Sequence, residues 1–104
     1  MARWATTQKE IEHHKKVGDQ IDEAMAKGTI LGFQMRGGIT FVGLVEGGAI
    51  RNNAGESGPF KIQGEVRLTT ADGRGLLLDY LDIEFAFNST SDETLDEFKK
   101  VGLL

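Results

Sequence analysis

The chain has 104 residues, enough for one small domain with one core and too few for two. Its composition, 39% hydrophobic and 27% charged, is ordinary for a globular protein, and its net charge of −4, from 12 basic against 16 acidic residues, argues against a strong phosphate-binding surface. It contains no cysteine, which excludes a disulfide framework, a thiol nucleophile and thiolate metal sites.

The first residues, Met1-Ala2-Arg3-Trp4, lack the apolar core of a secretion signal, and no apolar run approaches the roughly 20 residues needed to cross a bilayer. The expectation is a cytoplasmic protein without a membrane partner. Trp4 is read as packed on the fold or on a neighbouring subunit. Thr7, with Glu10 three residues on, is a capping-box pattern and opens a helix over 7–27. Ile11, His14, Val17, Ile21, Ala24 and Met25 follow at three- and four-residue spacing, giving one apolar stripe. Gly28 is placed to end the helix. Gly18 lies inside it at a cost of about 1 kcal/mol against Ala, and marks a bend or a close approach.

Thr29–Met35 and Ile39–Glu46 alternate as two strands joined by Arg36-Gly37-Gly38, where two adjacent glycines suit a hairpin loop. Both faces of this hairpin carry apolar residues, which implies cover on both sides, by the helix or by another subunit. Gly47-Gly48 turns or bulges the chain, Ala49-Ile50-Arg51 is a short strand, and 52–59 is a loop ending at the single proline.

Phe60–Thr70 alternates almost without fault. Phe60, Ile62, Val66 and Leu68 form an inner face; Lys61, Gln63, Glu65 and Arg67 form a wet one. Asp72-Gly73 supplies the tight turn, and Gly75–Tyr80 and Asp82–Phe87 return, with Ile83, Phe85 and Phe87 set against Asp82, Glu84 and Ala86. Gly32, Gly43 and Gly64 interrupt strands, and are read as sites of sharp bending. A second helix over 91–101 starts from a Thr90/Glu93 capping pattern, presents Leu95, Phe98 and Val101, and stops at Gly102. The fold class expected is therefore α+β, mainly β, as one domain over 1–104: a helix, a small, strongly bent five-stranded antiparallel barrel over 29–87, and a short C-terminal helix.

A helix followed by about five strongly bent strands resembles the Sm-like small β-barrel family. Phe41, Gly43, Val45 and Asn53 match the spacing of that family's first motif, and Leu78, Ile83 and Phe85 match apolar positions of its second. The resemblance implies a barrel that self-associates through strand edges, as a ring or a dimer. Where the family's RNA-base pocket carries Asp, a basic residue and Gly, this chain has Ala49, Asp79 and Tyr80. The fold is thus expected to carry over without the RNA site.

Few residues carry candidate chemistry. Arg36, Arg51 and Arg74 lie on or near turns and, with Asn53, are the candidate contacts for an anion or RNA. Asp79, Asp82 and Glu84 are the densest acidic group, with Asp82 and Glu84 about 7 Å apart along one strand face, and are the candidate ligands for a divalent cation. The bland readings are exposed turn residues for the first group and a solvated strand face for the second. His13 and His14 are adjacent, so on a helix they diverge by about 100° and do not readily share one metal. No nucleophile, metalloprotease or dinucleotide signature is present, and no cofactor is implied. The leading expectation is a non-catalytic binding or assembly module that forms a homo-oligomer. The alternatives are an Sm-like RNA-binding protein and a small cation-dependent enzyme or small-ligand-binding protein using the acidic group.

Overall fold

The computed structural model describes residues 2–104. Helix α1 (Gln8–Met25) is followed by β1 (Ile30–Met35), β2 (Thr40–Asn52), β3 (Ile62–Thr70), β4 (Gly75–Asp79), a single 3-10 turn (Tyr80–Asp82), β5 (Ile83–Asn88) and α2 (Asp92–Lys100). The fold is α+β and mainly β. The strands form one antiparallel sheet in the order β4-β3-β2-β1-β5.

That order forces the sheet to curl. Asp79 at the end of β4 pairs with Glu65, and Glu65 pairs with Ala49 on β2. Ile83 at the start of β5 pairs with Met35, whose neighbour Gln34 pairs with Thr40 at the other end of β2. Thr40 and Ala49 would lie about 30 Å apart on a straight strand. Only Tyr80–Asp82 joins β4 to β5, a link that reaches at most about 14 Å. The two outer strands can be joined only if β2 bends. Its register with β3 slips between Val45 and Gly47, a bulge that bends the ribbon. The sheet nevertheless stays open, because β4 and β5 are its two edges and no ladder joins them.

Helix α1 fills the concavity. The capping box at Thr7 and Glu10 forms as the sequence requires, with the Glu10 backbone N–H donating to the Thr7 hydroxyl at 3.1 Å. Val17, Ile21 and Ala24 pack against Leu31 and Phe33 of β1, Val66 and Leu68 of β3, Leu78, Tyr80, Ile83 and Ala86. His14 completes the buried face of the helix.

Several expectations are corrected. Gly47-Gly48 does not end a strand: β2 runs through it to Asn52, so Ala49–Arg51 is not separate. Gly32, Gly43 and Gly64 have no left-handed backbone; they admit close neighbours. A Cβ at Gly32 would lie 2.3 Å from the Phe87 ring, at Gly43 2.4 Å from Leu68, and at Gly64 2.6 Å from His14 Nε2. The Ile83/Phe85/Phe87 face is split. A register shift between Gln34 and Met35 leaves Ile83 and Ala86 in the core and turns Phe85 and Phe87 outward. The second capping box is Ser91 with Thr94, because the Thr90 hydroxyl instead donates to the Ile30 carbonyl and accepts from the Ile30 N–H.

Helix α2 ends as Gly102 suggested. The Leu103 N–H bonds the Phe98 carbonyl and the Gly102 N–H bonds that of Lys99, with Gly102 at φ 78°; this is the glycine-terminated helix stop. Phe98 is 1% exposed, Leu95 is half-buried and Val101 is open to solvent, so Phe98 is the buried anchor of the stripe. No helix of the described residues is long and apolar enough to cross a membrane.

Candidate functional site

Three regions hold the side chains singled out from the sequence, together with several that were not. The first is the junction of β4, the 3-10 turn and the N-terminal arm. Asp79 accepts from the backbone N–H of Arg3 at 3.0 Å, from Arg3 Nε at 3.1 Å and, through its other oxygen, from the Leu81 N–H at 3.0 Å. Arg3 Nη2 also reaches Asp82. Burial alone would raise the Asp79 pKa, but the donors of Arg3 and Leu81 outweigh it and hold the carboxyl below its ordinary value. Arg3 and the turn thus engage three acceptor positions of Asp79 and one of Asp82. Glu84 stands exposed on β5, and no group of three metal-ligating side chains forms among the described residues.

The second region is the set of turns carrying Arg36, Arg51, Asn53 and Arg74. These do not converge. Thr70, at the β3–β4 turn beside Arg74, lies level with Gly43 and Leu31, whereas Arg36 follows Met35 at the opposite end of β1. Arg74 pairs with Asp72 at 2.9 Å. Arg51 lies over the Trp4 ring at 5.9 Å, with Lys61 Nζ at 4.5 Å. Asn53 is buried and staples its own loop, donating to the Pro59 carbonyl and accepting from the Lys61 N–H, both at 2.8 Å.

The third region is α1 and its surroundings, which sequence reasoning treated as cover. Along β5, α1 meets the edge strand with side chains. His13 Nε2 contacts the Ile83 carbonyl at 2.6 Å, and Gln20 accepts the Ala86 N–H at 2.9 Å. Asn88 returns the favour by donating to the Ala24 and Gly28 carbonyls at the helix end. Across the curl, His14 is 3% exposed and stacks on Tyr80 with ring centroids 4.6 Å apart. Among the described residues its Nε2 has no hydrogen-bond partner. Burial pushes its pKa down, against an upward pull from Asp79, with His13 adding to the depression. Burial, and then the Asp22 charge, push the Tyr80 phenol up.

Between α1 and the far half of the β2–β3 ribbon lies a cleft of about 330 Å³. The helix side presents Ile11, Gly18, Asp19 and Asp22; the ribbon presents Ile50, Phe60 and Ile62, with Tyr80 and His14 between the two sides. The only sequence signal for it was Gly18 inside the helix.

The β4 edge differs from β5. Among the described residues, no hydrogen bond reaches the main chain of Gly75–Leu78 other than the ladder from β3, while the Asp79 carbonyl, as N-cap, takes the first bond of the 3-10 turn. Leu77 on this strand is 60% exposed. Compared with protein families, curated proteins and solved structures, the chain matches none.

Proposed function

We propose that this protein is a non-catalytic assembly module of Sm-like type that self-associates through the free edge of β4. The observation that carries this reading is the contrast between the two edges. β5 has its Ile83 carbonyl and Ala86 N–H taken by α1. β4 leaves the main-chain groups of Gly75–Leu78 that face away from β3 without partners among the described residues, beside an exposed Leu77, and this run carries no charge or proline. An apolar, unguarded edge is a template for another strand. With one edge covered and one open, the natural partner of β4 is β4 of a second copy, which gives a closed two-fold dimer rather than a head-to-tail ring.

The curl that brings β4 and β5 within reach of a three-residue link supports the Sm-like, barrel-like description, with α1 lying where strand pairing would complete closure. RNA binding has less support, because Asn53 is occupied by its own loop and the turn arginines are dispersed. A cation-dependent activity has less support because Asp79 and Asp82 are bonded to Arg3.

Light scattering tests the proposal. The wild-type chain is expected at twice its monomer mass, and Leu77→Lys at the monomer mass with its melting transition retained. A wild-type chain that stays monomeric from micromolar to millimolar concentration ends this reading.

A further inference from the structure

We infer that the cleft between α1 and the β2–β3 ribbon is a binding site for a small ligand with a flat apolar body and a cationic end, such as an aromatic amine. This is independent of the β4 surface, since Leu77 does not line the cleft.

The walls set the apolar part. Ile50 and Phe60 remain 55% and 47% exposed, although both line the same concavity with Ile11 and Ile62. Large apolar side chains left open in a cleft of a few hundred Å³ are the usual lining of a small-molecule site. Tyr80 supplies an aromatic wall. Its ring is buried, and its hydroxyl makes no hydrogen bond among the described residues, while the buried polar atoms without partners include only His14 Nε2. The hydroxyl is therefore reachable and unengaged.

Gly18 points the same way. It has helical geometry and no left-handed backbone, and a Cβ there would meet Tyr80 at 3.7 Å, an ordinary contact. Packing does not require a glycine, and the helix is weakened by having one. What the missing side chain does is keep the wall bare beside the Tyr80 ring.

The rim sets the charge. Asp19, Asp22 and Lys15 are the Asp, Glu, Lys or Arg side chains among the described residues that line the cleft, none of the three is in an ion pair among the described residues, and the net −1 of the rim favours a cation. Asp22 and Tyr80 line the same cleft, and the Asp22 charge adds to the upward push of burial on the phenol, so the site offers an ammonium both a carboxylate and a phenol.

The test uses amide chemical shifts of the full chain titrated with tryptamine and with its anionic counterpart, indole-3-propionate. Tryptamine is expected to give saturable shifts at Gly18, Ile50 and Phe60, with affinity at least about tenfold above the carboxylate, and Asp22→Asn is expected to lose about tenfold, the size of one charge-assisted contact. Gly18→Ala is expected to raise the melting temperature by about 4 °C or more. Gly18→Leu, with its melting transition intact, is expected to abolish the shifts; should it not fold, Gly18→Ala with weakened tryptamine binding serves in its place. The proposal is overturned by any of three results: no saturable shift at these amides at millimolar tryptamine, equal affinity for the two probes, or indifference to Asp22→Asn. It is likewise overturned if the same amides move with protein concentration alone, because a second copy then occupies the cleft.

Discussion

Gln20 on α1 accepts the main-chain N–H of Ala86 on β5 at 2.9 Å, so a helix side chain takes the place that a neighbouring strand would fill. This bond spans 66 positions of sequence and ties the helix to the edge of the sheet. Gln20→Leu leaves the Ala86 N–H without a partner at a partly covered position. We expect a loss of about 1–3 kcal/mol in urea denaturation, with faster hydrogen exchange at Ala86 than at residues of β3. Unchanged exchange at Ala86 would show that the bond does not close this edge in solution.

Gly64 sits under the imidazole of His14, and a Cβ there would lie 2.6 Å from Nε2 and 3.3 Å from the Tyr80 ring. Gly64→Ala therefore has to push α1 away from β3. The expected cost is about 1–3 kcal/mol, read as a lower denaturation midpoint with the slope retained. Gly75→Ala on the neighbouring strand, where a Cβ meets nothing within 4 Å, is the control and is expected to change little.

Asp79 and Arg3 contribute unequally to their shared junction. Asp79 caps the 3-10 turn through the Leu81 N–H and holds the Arg3 backbone, whereas the Arg3 side chain is mostly exposed. Asp79→Ala is expected to cost about 1–2 kcal/mol and Arg3→Ala less than about 1 kcal/mol, by thermal unfolding. Because the folded pKa of Asp79 lies below its ordinary value, its contribution is present above about pH 4 and is lost as the pH falls through the folded pKa. Equal costs for the two variants would assign the junction to the ion pair instead.

His14 makes a separate pH window. Its folded pKa is lowered, by burial first, from an ordinary value of 6.5. The unfolded chain therefore binds the proton more readily, and stability is full above about pH 6.5 and declines as the pH falls below it toward the folded value. Denaturation midpoints between pH 7 and about pH 5, above the main carboxylate range, are expected to fall for the wild type and to flatten in His14→Gln. A flat wild-type profile would mean that the imidazole is not held neutral against Gly64 and Tyr80.

The two histidines also show where local reasoning stops. Their divergence around the helix was readable from adjacency alone. That His13 meets the Ile83 carbonyl, 70 positions away, and His14 the Tyr80 ring was not. The same holds for Asp79, whose acidic character was plain but whose partner Arg3 lies 76 positions upstream. Asn53 matches the loop position of the Sm-like first motif, and an exposed loop asparagine and a buried loop-closing one look alike in sequence.

Local chemistry determined what depends on residues within about four positions: the Thr7/Glu10 cap, the period-two alternation of β3 from Gly64 to Thr70, the Asp72-Gly73 turn and the stop at Gly102; Gln63, on the polar face in sequence, is buried. Tertiary structure alone decided which groups were already taken. It carried β2 through Gly47-Gly48, moved the second cap from Thr90 to Ser91 by engaging the Thr90 hydroxyl at Ile30, and turned Phe85 and Phe87 outward through one register shift. The physical reason is that a capping bond or a turn is complete within its own segment. Burial and the satisfaction of polar groups depend on what the curled sheet brings in from the far end of the chain.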